Sequence, residues 1–259
     1  MKVIAVMSPK GGIGKTTTAD SIAHILGEEQ EKKVLLIDGD PQGDTSKTFR
    51  RYDPEGIGTS ELLEDHVCAG GDYHTSDLIQ TTEYPHIDIV PANGYLVKTD
   101  LNLMISQEDN QINRLKDALA EVEGEYDYCI CDCGRLFDMV VVNILIASGL
   151  VIAPVKVGGF ENEAVKNLCE QITTLQEINP ELKIKGILTM RQKNKTSLEF
   201  EEYLRTASGL EMFETPVRRS IMAEKAAIAM KPVPEFSRRG IVTQDYRSVV
   251  EELMKEMEA

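Results

Sequence analysis

The stretch PKGGIGKTTT, residues 9–18, decides how the rest of the chain is read. Before it runs KVIAVM (2–7), apolar throughout as a buried strand would be. After it Ala19, Ile22, Ala23 and Leu26 recur at helical spacing. A Gly-rich turn between a strand and a helix is the setting of a phosphate-binding loop. Gly11, Gly12 and Gly14 allow backbone N–H groups to turn inward around phosphate oxygens, where side chains would block the approach. A helix starting near Lys15 adds its positive end. The pattern assigns Lys15 to the β- and γ-phosphates of a nucleotide and the Thr16 hydroxyl to a Mg²⁺ ion, with Ile13 and Thr17 completing the loop's contacts. The alternative, a flexible Gly-rich turn, does not explain why strand, Gly-Lys-Thr and helix come in that order.

Working outward, short apolar runs alternate with amphipathic stretches. KVLLID (33–38), HIDIVPAN (86–93), YDYCICD (126–132), GLVIAPV (149–155) and KIKGILTM (183–190) read as buried strands, with a short one near 211–214. Helices are expected over about 112–122, 161–178, 198–207, 221–230 and 243–257. Strands without polar alternation, separated by helices, imply an α/β fold. A mostly parallel, twisted sheet of about seven to eight strands would carry helices on both faces. Residues 53–84 have weak periodicity and read as a surface excursion with a short helix. Residues 1–259 are expected to form a single domain.

The 259 residues are 42% hydrophobic and 27% charged, ordinary for a globular chain, with no Trp. A net charge of −15 argues against nucleic acid or anionic membrane as a default partner. Residues 183–240 are the exception, with 12 Lys+Arg against 7 Asp+Glu. The N-terminal apolar run is too short for a signal peptide, and no stretch reaches the roughly 18 apolar residues of a membrane span. Five cysteines, an odd number, point to free thiols in a reducing cytoplasm.

Three of those cysteines alternate in CICDCG (129–134). Cys129, Cys131 and Cys133 fall on one side of a strand, Ile130 on the other. A zinc site is one reading. Same-face residues lie about 7 Å apart, from twice the rise per residue. A zinc ion at about 2.3 Å from each sulfur could reach all three only by distorting the strand. Cys68, Cys169 and the scattered histidines supply no second ligand pair. Buried cysteine packing as a small hydrophobe is the better account.

The loop departs from the usual phosphate-loop form. Pro9 stands at the leading Gly position and an extra lysine, Lys10, follows. This K-G-G-x-G-K-T-T form resembles the deviant Walker A ATPases, the ParA/MinD group of P-loop NTPases. The resemblance implies that Lys10 reaches across a nucleotide-sandwich homodimer to the partner's phosphates. VLLIDGDPQGDTS (34–46) is similar to the family's switch I, which implies that Asp40 orients the attacking water and that Asp38 acts near the metal. YDYCICDCGRLF falls where the family carries its Walker B strand, so Asp132 is expected to hold a water on Mg²⁺. Cys133 is itself a family residue. The family's Pro-Pro after that cysteine is replaced by Gly134-Arg135; Arg135 either supplements charge neutralisation at the phosphates or is an exposed residue with no role. The adenine is expected between the loop near Thr189–Met190 and the segment that includes Pro216 and Arg219, where Arg218 replaces a family proline.

The resemblance covers essentially the whole chain and lies nearest the ParA partition ATPases. They imply ATP and Mg²⁺ as cofactors, an ATP-dependent homodimer, non-specific DNA binding, and hydrolysis stimulated by a ParB-like centromere-binding partner. They also imply a cytoplasmic protein that joins the nucleoid when ATP-bound. Arg191, Lys193, Lys195, Arg218, Arg219, Lys225, Lys231, Arg238 and Arg239 are the candidates for DNA contact, through phosphates and without sequence preference. The acidic tail YRSVVEELMKEMEA lacks the basic amphipathic character of a membrane-binding helix, so no membrane partner is expected. Two other readings stay open. One is an ATPase of the same fold that positions a protein complex instead of DNA. The other is a metal–sulfur carrier ATPase that uses the cysteines.

Overall fold

The computed structural model describes all residues except 65, 67–69, 107–109, 159–160 and 259, with the side chains of 161 and 162 also left aside. Cys68 therefore lies outside the described residues. Seven strands form one sheet: β1 (Lys2–Val6), β2 (Val34–Gly39), β3 (Gln80–Thr81), β4 (Ile87–Val90), β5 (Tyr128–Cys133), β6 (Leu150–Val155) and β7 (Lys183–Leu188). Their order is β3-β4-β2-β5-β1-β6-β7. All neighbours are parallel except β3 with β4.

The lack of polar alternation has a direct cause. Every residue of β2, β5 and β6 is buried, because helices cover both faces of the sheet. Ile4, Val6, Val34, Leu36, Ile130 and Ile152 point into one core. There they meet the helix Lys15–His24 and the C-terminal helix Ile241–Glu258. Ala5, Leu35, Ile37, Cys129, Cys131, Cys133 and Val151 point into the other. The second core is closed by helices that include Leu96–Ile105, Arg114–Ala120, Met139–Ala147 and Glu161–Gln176. The helix Met139–Ala147 is apolar nearly all round and so shows no amphipathic period. It packs between the sheet and two of the other helices.

Two expectations change. Residues 211–214 form no strand of their own. Met212 makes a single bridge to Gly186, with Gly186 N–H donating to Glu211 and Phe213 N–H donating to Gly186. Residues 53–84 are not a surface excursion. They contribute the helices Thr59–Glu64 and Thr75–Leu78 and the antiparallel edge strand β3, and they bury Leu62, Leu63 and Leu78 completely. Few residues in this stretch repeat at a helical period because each helix is four to six residues long.

The register decides where chemistry can sit. Asp38 of β2 and Val6 of β1 both pair with Asp132 of β5. Three strand ends are thus level at the carboxyl edge of the sheet, where ligands bind in open parallel sheets.

Candidate nucleotide site

The chain leaves β1 and wraps through residues 8–14 into the helix Lys15–His24. Gly12 (φ 65°) and Gly14 (φ 91°) both hold left-handed backbone, which glycine adopts without steric cost. Gly14 is also the residue that caps the helix. The loop borders a cavity of about 320 Å³, into which Gly11, Lys15, Thr16, Asp40, Gln42 and Arg135 project. A second cavity of about 520 Å³ adjoins it and shares Gly14 and Thr17. Its walls include Ile13, Thr189, Met190, Val217, Arg218 and Tyr246. That volume lies in the range of small-molecule sites. The loop after β7 is fastened to the phosphate loop by Thr189 Oγ1, which donates to the Ile13 carbonyl at 2.7 Å. Met190 holds φ 53°, costly backbone for a side chain of its kind and typical of ligand clamps. Met190 is where the sequence placed the adenine. Pro216 is not among the lining residues; Val217, Arg218 and Arg219 take that wall.

Below the phosphate loop lies a buried cluster of acids. Thr16 Oγ1 donates to Asp132 Oδ2 at 2.7 Å. Donating its only proton there leaves the lone pairs of the Thr16 hydroxyl for a cation. Asp132 Oδ1 is buried and has no hydrogen-bond partner among the described residues. An orphaned carboxylate oxygen beside a free hydroxyl lone pair suits a small hard cation such as Mg²⁺, directly or through water. Thr45 Oγ1 lies between two carboxylates, 2.8 Å from Asp20 Oδ1 and 3.0 Å from Asp132 Oδ2.

Burial, reinforced by the neighbouring charge of Asp38, pushes the Asp132 carboxyl up to about 8. Burial raises Asp38 to about 6 against the hydrogen bonds from Ser46 and Asp40. Asp20 is also raised well above the usual carboxylate range, by burial and then by the charge of Asp132. Each of these groups keeps its proton in the folded chain over a pH range where the unfolded chain, near 4, has lost it. Their contribution to stability is present below about pH 4 and is lost as pH rises, through about 6 for Asp38 and about 8 for Asp132. The metal-free protein is therefore expected to lose thermal stability between pH 6 and pH 8 in EDTA. Asp132→Asn should flatten that fall, and millimolar Mg²⁺ should restore the wild type more at pH 8 than at pH 6. Identical pH slopes for wild type and variant would refute the assignment.

Asp38 has a different place from the one expected beside the metal. Its Oδ2 accepts from Ser46 N–H at 2.7 Å and Ser46 Oγ at 2.5 Å, and its Oδ1 accepts from Asp40 N–H at 3.2 Å. Ser46 Oγ in turn accepts from Ala92 N–H at 2.9 Å. With both oxygens engaged by the loop that follows β2, Asp38 anchors that loop. Asp40 instead faces the phosphate cavity, with Oδ1 held by Gln42 N–H at 2.9 Å.

The cysteines are packing residues. Cys129, Cys131 and Cys133 have no exposed surface and belong to one core cluster. Burial lifts the Cys133 thiol, while the Cys129 thiol beside it is the first cause for Cys131, where their sulfurs are 3.8 Å apart. This is closer than the backbone spacing, because the two side chains lean together.

The basic candidates separate into two groups. Arg218 clasps Asp245 through Nε at 2.9 and 3.0 Å and through Nη2, and it walls the larger cavity. Arg191 Nε is 3.0 Å from Glu201. Lys193, Lys225, Arg238 and Arg239 are exposed, as is Arg219, whose nearest acid is Glu224 at 3.9 Å. Lys195 pairs with Glu199 and Lys231 with Glu235, each one helical turn away.

Sequence reasoning missed Asp20, Thr45, Ser46 and Tyr246. Asp20 had one available signal, a carboxylate beside Ala19 and Ala23 on the helix face that meets the sheet. Tyr246 had none: its hydroxyl lies 3.0 Å from Thr18 Oγ1 across 228 residues of sequence.

Comparison with known proteins agrees with this arrangement. Residues 1–184 match the family model described as an AAA domain. The chain is 30% identical to the chromosome partitioning protein ParA of Caulobacter vibrioides, over 98% of this chain and 94% of that one. It is 29% identical to the sporulation initiation inhibitor protein Soj of Bacillus subtilis, over 97% and 98%. Among solved structures, the cobyrinic acid a,c-diamide synthase of Mycobacterium smegmatis with bound ADP and magnesium superposes with a TM-score of 0.82, at 27% identity over 100% of this chain and 96% of that one. Full-length similarity to ParA, a level row of strand ends and the looped Gly-Lys-Thr segment converge: the chain belongs to the ParA/MinD-type family of P-loop ATPases.

Proposed function

We propose that this protein is a partition ATPase that binds Mg²⁺–ATP, closes into a sandwich homodimer and binds DNA without sequence preference. Hydrolysis, stimulated by a ParB-like partner on the centromere, releases it. The protein would work in the cytoplasm and on the nucleoid. The observation that carries the reading is one continuous site. A cavity of about 520 Å³, with room for a nucleoside, meets at Gly14 and Thr17 a second cavity that Lys15, Thr16 and Asp40 line. Lys15 and Mg²⁺ would offset charge developing on the transferring phosphoryl group. Asp40 would orient water against it, and Lys10 would act across the dimer. Gel filtration with light scattering on Asp40→Ala protein tests the switch. A dimer with ATP and a monomer without it is expected; a monomer in both conditions would overturn the reading.

The DNA half of the proposal rests on the exposed cations. Changing Lys225, Arg238 and Arg239 together to Glu should weaken ATP-dependent DNA binding about tenfold or more. It should also lower the slope of log Kd against log salt by about 1 per lost phosphate contact. Fluorescence anisotropy with two unrelated duplexes would measure both. An unchanged slope would remove these residues from the interface. The engagement of Arg191 and Arg218 with acids and the net charge of −15 favour a second reading, in which the cargo is a protein complex. In that case ATP-dependent dimerisation would persist with no DNA binding.

A further inference from the structure

Arg135 occupies the position two residues beyond β5 where the chain departs from the pattern of its family. Its side chain is exposed to solvent yet folds back over the phosphate loop. Nη1 comes within 3.1 Å, and Cδ within 3.4 Å, of where a Cβ on Gly11 would stand. The guanidinium therefore lies against the backbone of Gly11, in space that only a glycine leaves open. Arg135 lines the phosphate cavity beside Gly11, Lys15, Asp40 and Gln42. No hydrogen bond or ion pair holds it among the described residues, in contrast to Arg191, Arg218 and Arg247.

The order of the two cavities fixes which phosphate it would meet. Gly14 and Thr17 border both, so a nucleotide lying across the two would pass its first phosphates over that junction. Gly11, Asp40 and Arg135 border only the phosphate cavity. A triphosphate entering from the base side ends there. The geometry points to Arg135 as a ligand of the terminal phosphate of ATP in its own subunit, one that distinguishes ATP from ADP. Its planar fork suits phosphate oxygens better than a point charge does, and it would supplement Lys15 within the same chain. The inference rests on the proposed reading of the site as an ATP site.

The test compares AMP-PNP and ADP binding by calorimetry in the presence of Mg²⁺, for wild type, Arg135→Ala and Arg135→Lys. The protein concentration is kept low enough for light scattering to show a monomer. Loss of one charge-assisted contact predicts about tenfold weaker AMP-PNP binding by Arg135→Ala. ADP binding should change less than about twofold, and Arg135→Lys should fall between. Equal losses for both nucleotides would move Arg135 away from the terminal phosphate. No loss for either, or a loss seen only at concentrations where the wild type dimerises, would overturn a role in its own subunit. A wild type that binds neither nucleotide would sink the ATP reading itself, a result distinct from the other outcomes. Circular dichroism of each variant confirms that it is folded.

Discussion

Asp40→Ala protein is expected to bind AMP-PNP with wild-type affinity and to hydrolyse ATP about 10²- to 10⁴-fold more slowly, the range that a positioned acid–base group supplies. Affinity should survive because nothing structural depends on the carboxylate. Asp40 is partly exposed, and among the described residues its carboxylate accepts only the local hydrogen bond from Gln42 N–H. The backbone turn at 40–43 is held independently by Gly43 N–H on the Asp40 carbonyl at 2.8 Å. Hydrolysis should fail if Asp40 orients the attacking water as proposed, since it lines the phosphate cavity and not the larger one. Single-turnover measurements with Mg²⁺–ATP separate the two effects. A variant that binds weakly but turns over bound ATP at the wild-type rate would assign Asp40 to binding. Asp40→Asn keeps the turn's hydrogen bond and should be nearly as slow, which distinguishes loss of the carboxylate from loss of the loop.

Asp38→Ala is expected to act on folding instead. It leaves three donors without their acceptor, the Ser46 N–H and Ser46 hydroxyl in a fully buried site and the Asp40 N–H in a partly buried one. Each unsatisfied donor costs about 1–3 kcal/mol, so a loss of about 3 kcal/mol is expected at pH 6. Part of that cost is offset because the substitution also removes a buried carboxylate. The offset grows as pH rises from about 4 to the raised value of about 6, the range over which the wild type loses this group's contribution, and is level above it. Urea unfolding in EDTA at pH 5 and pH 7 should therefore show a smaller penalty at pH 7. The difference between wild type and variant should be insensitive to Mg²⁺. A variant of normal stability with weakened Mg²⁺ binding would return Asp38 to the metal.

These two neighbours show where sequence and structure part. Asp38 and Asp40 stand in one motif, D-G-D-P-Q-G, and carry the same side chain. The family resemblance gave both a place at the nucleotide. In the fold they diverge because β2 continues through Gly39. Asp38 is still inside the sheet, level with Asp132, while Asp40 has left it. The phosphate loop is a different case. Its glycine turn between β1 and the helix that follows was legible because such a loop requires consecutive backbone amides, and consecutive atoms must come from consecutive residues. The acid cluster was only half legible. Asp132 was visible as the end of an apolar strand, whereas Asp20 and Thr45 join it from the helix after β1 and the short helix Asp44–Thr48 after β2.

The sequence by itself determined the parallel α/β architecture, the phosphate loop and the packing role of the three cysteines. Each of these follows from local order: an unbroken apolar run, a glycine-rich turn before a helix, a period of two along a strand. Tertiary structure alone decided that Arg218 belongs to Asp245, that residues 53–84 enter the core, and that Arg135 lies over Gly11. Those facts depend on which surfaces meet across distant parts of the chain. Hydrophobic burial and charge pairing select such contacts by shape and distance in space, and neither leaves a mark at a fixed spacing in the sequence.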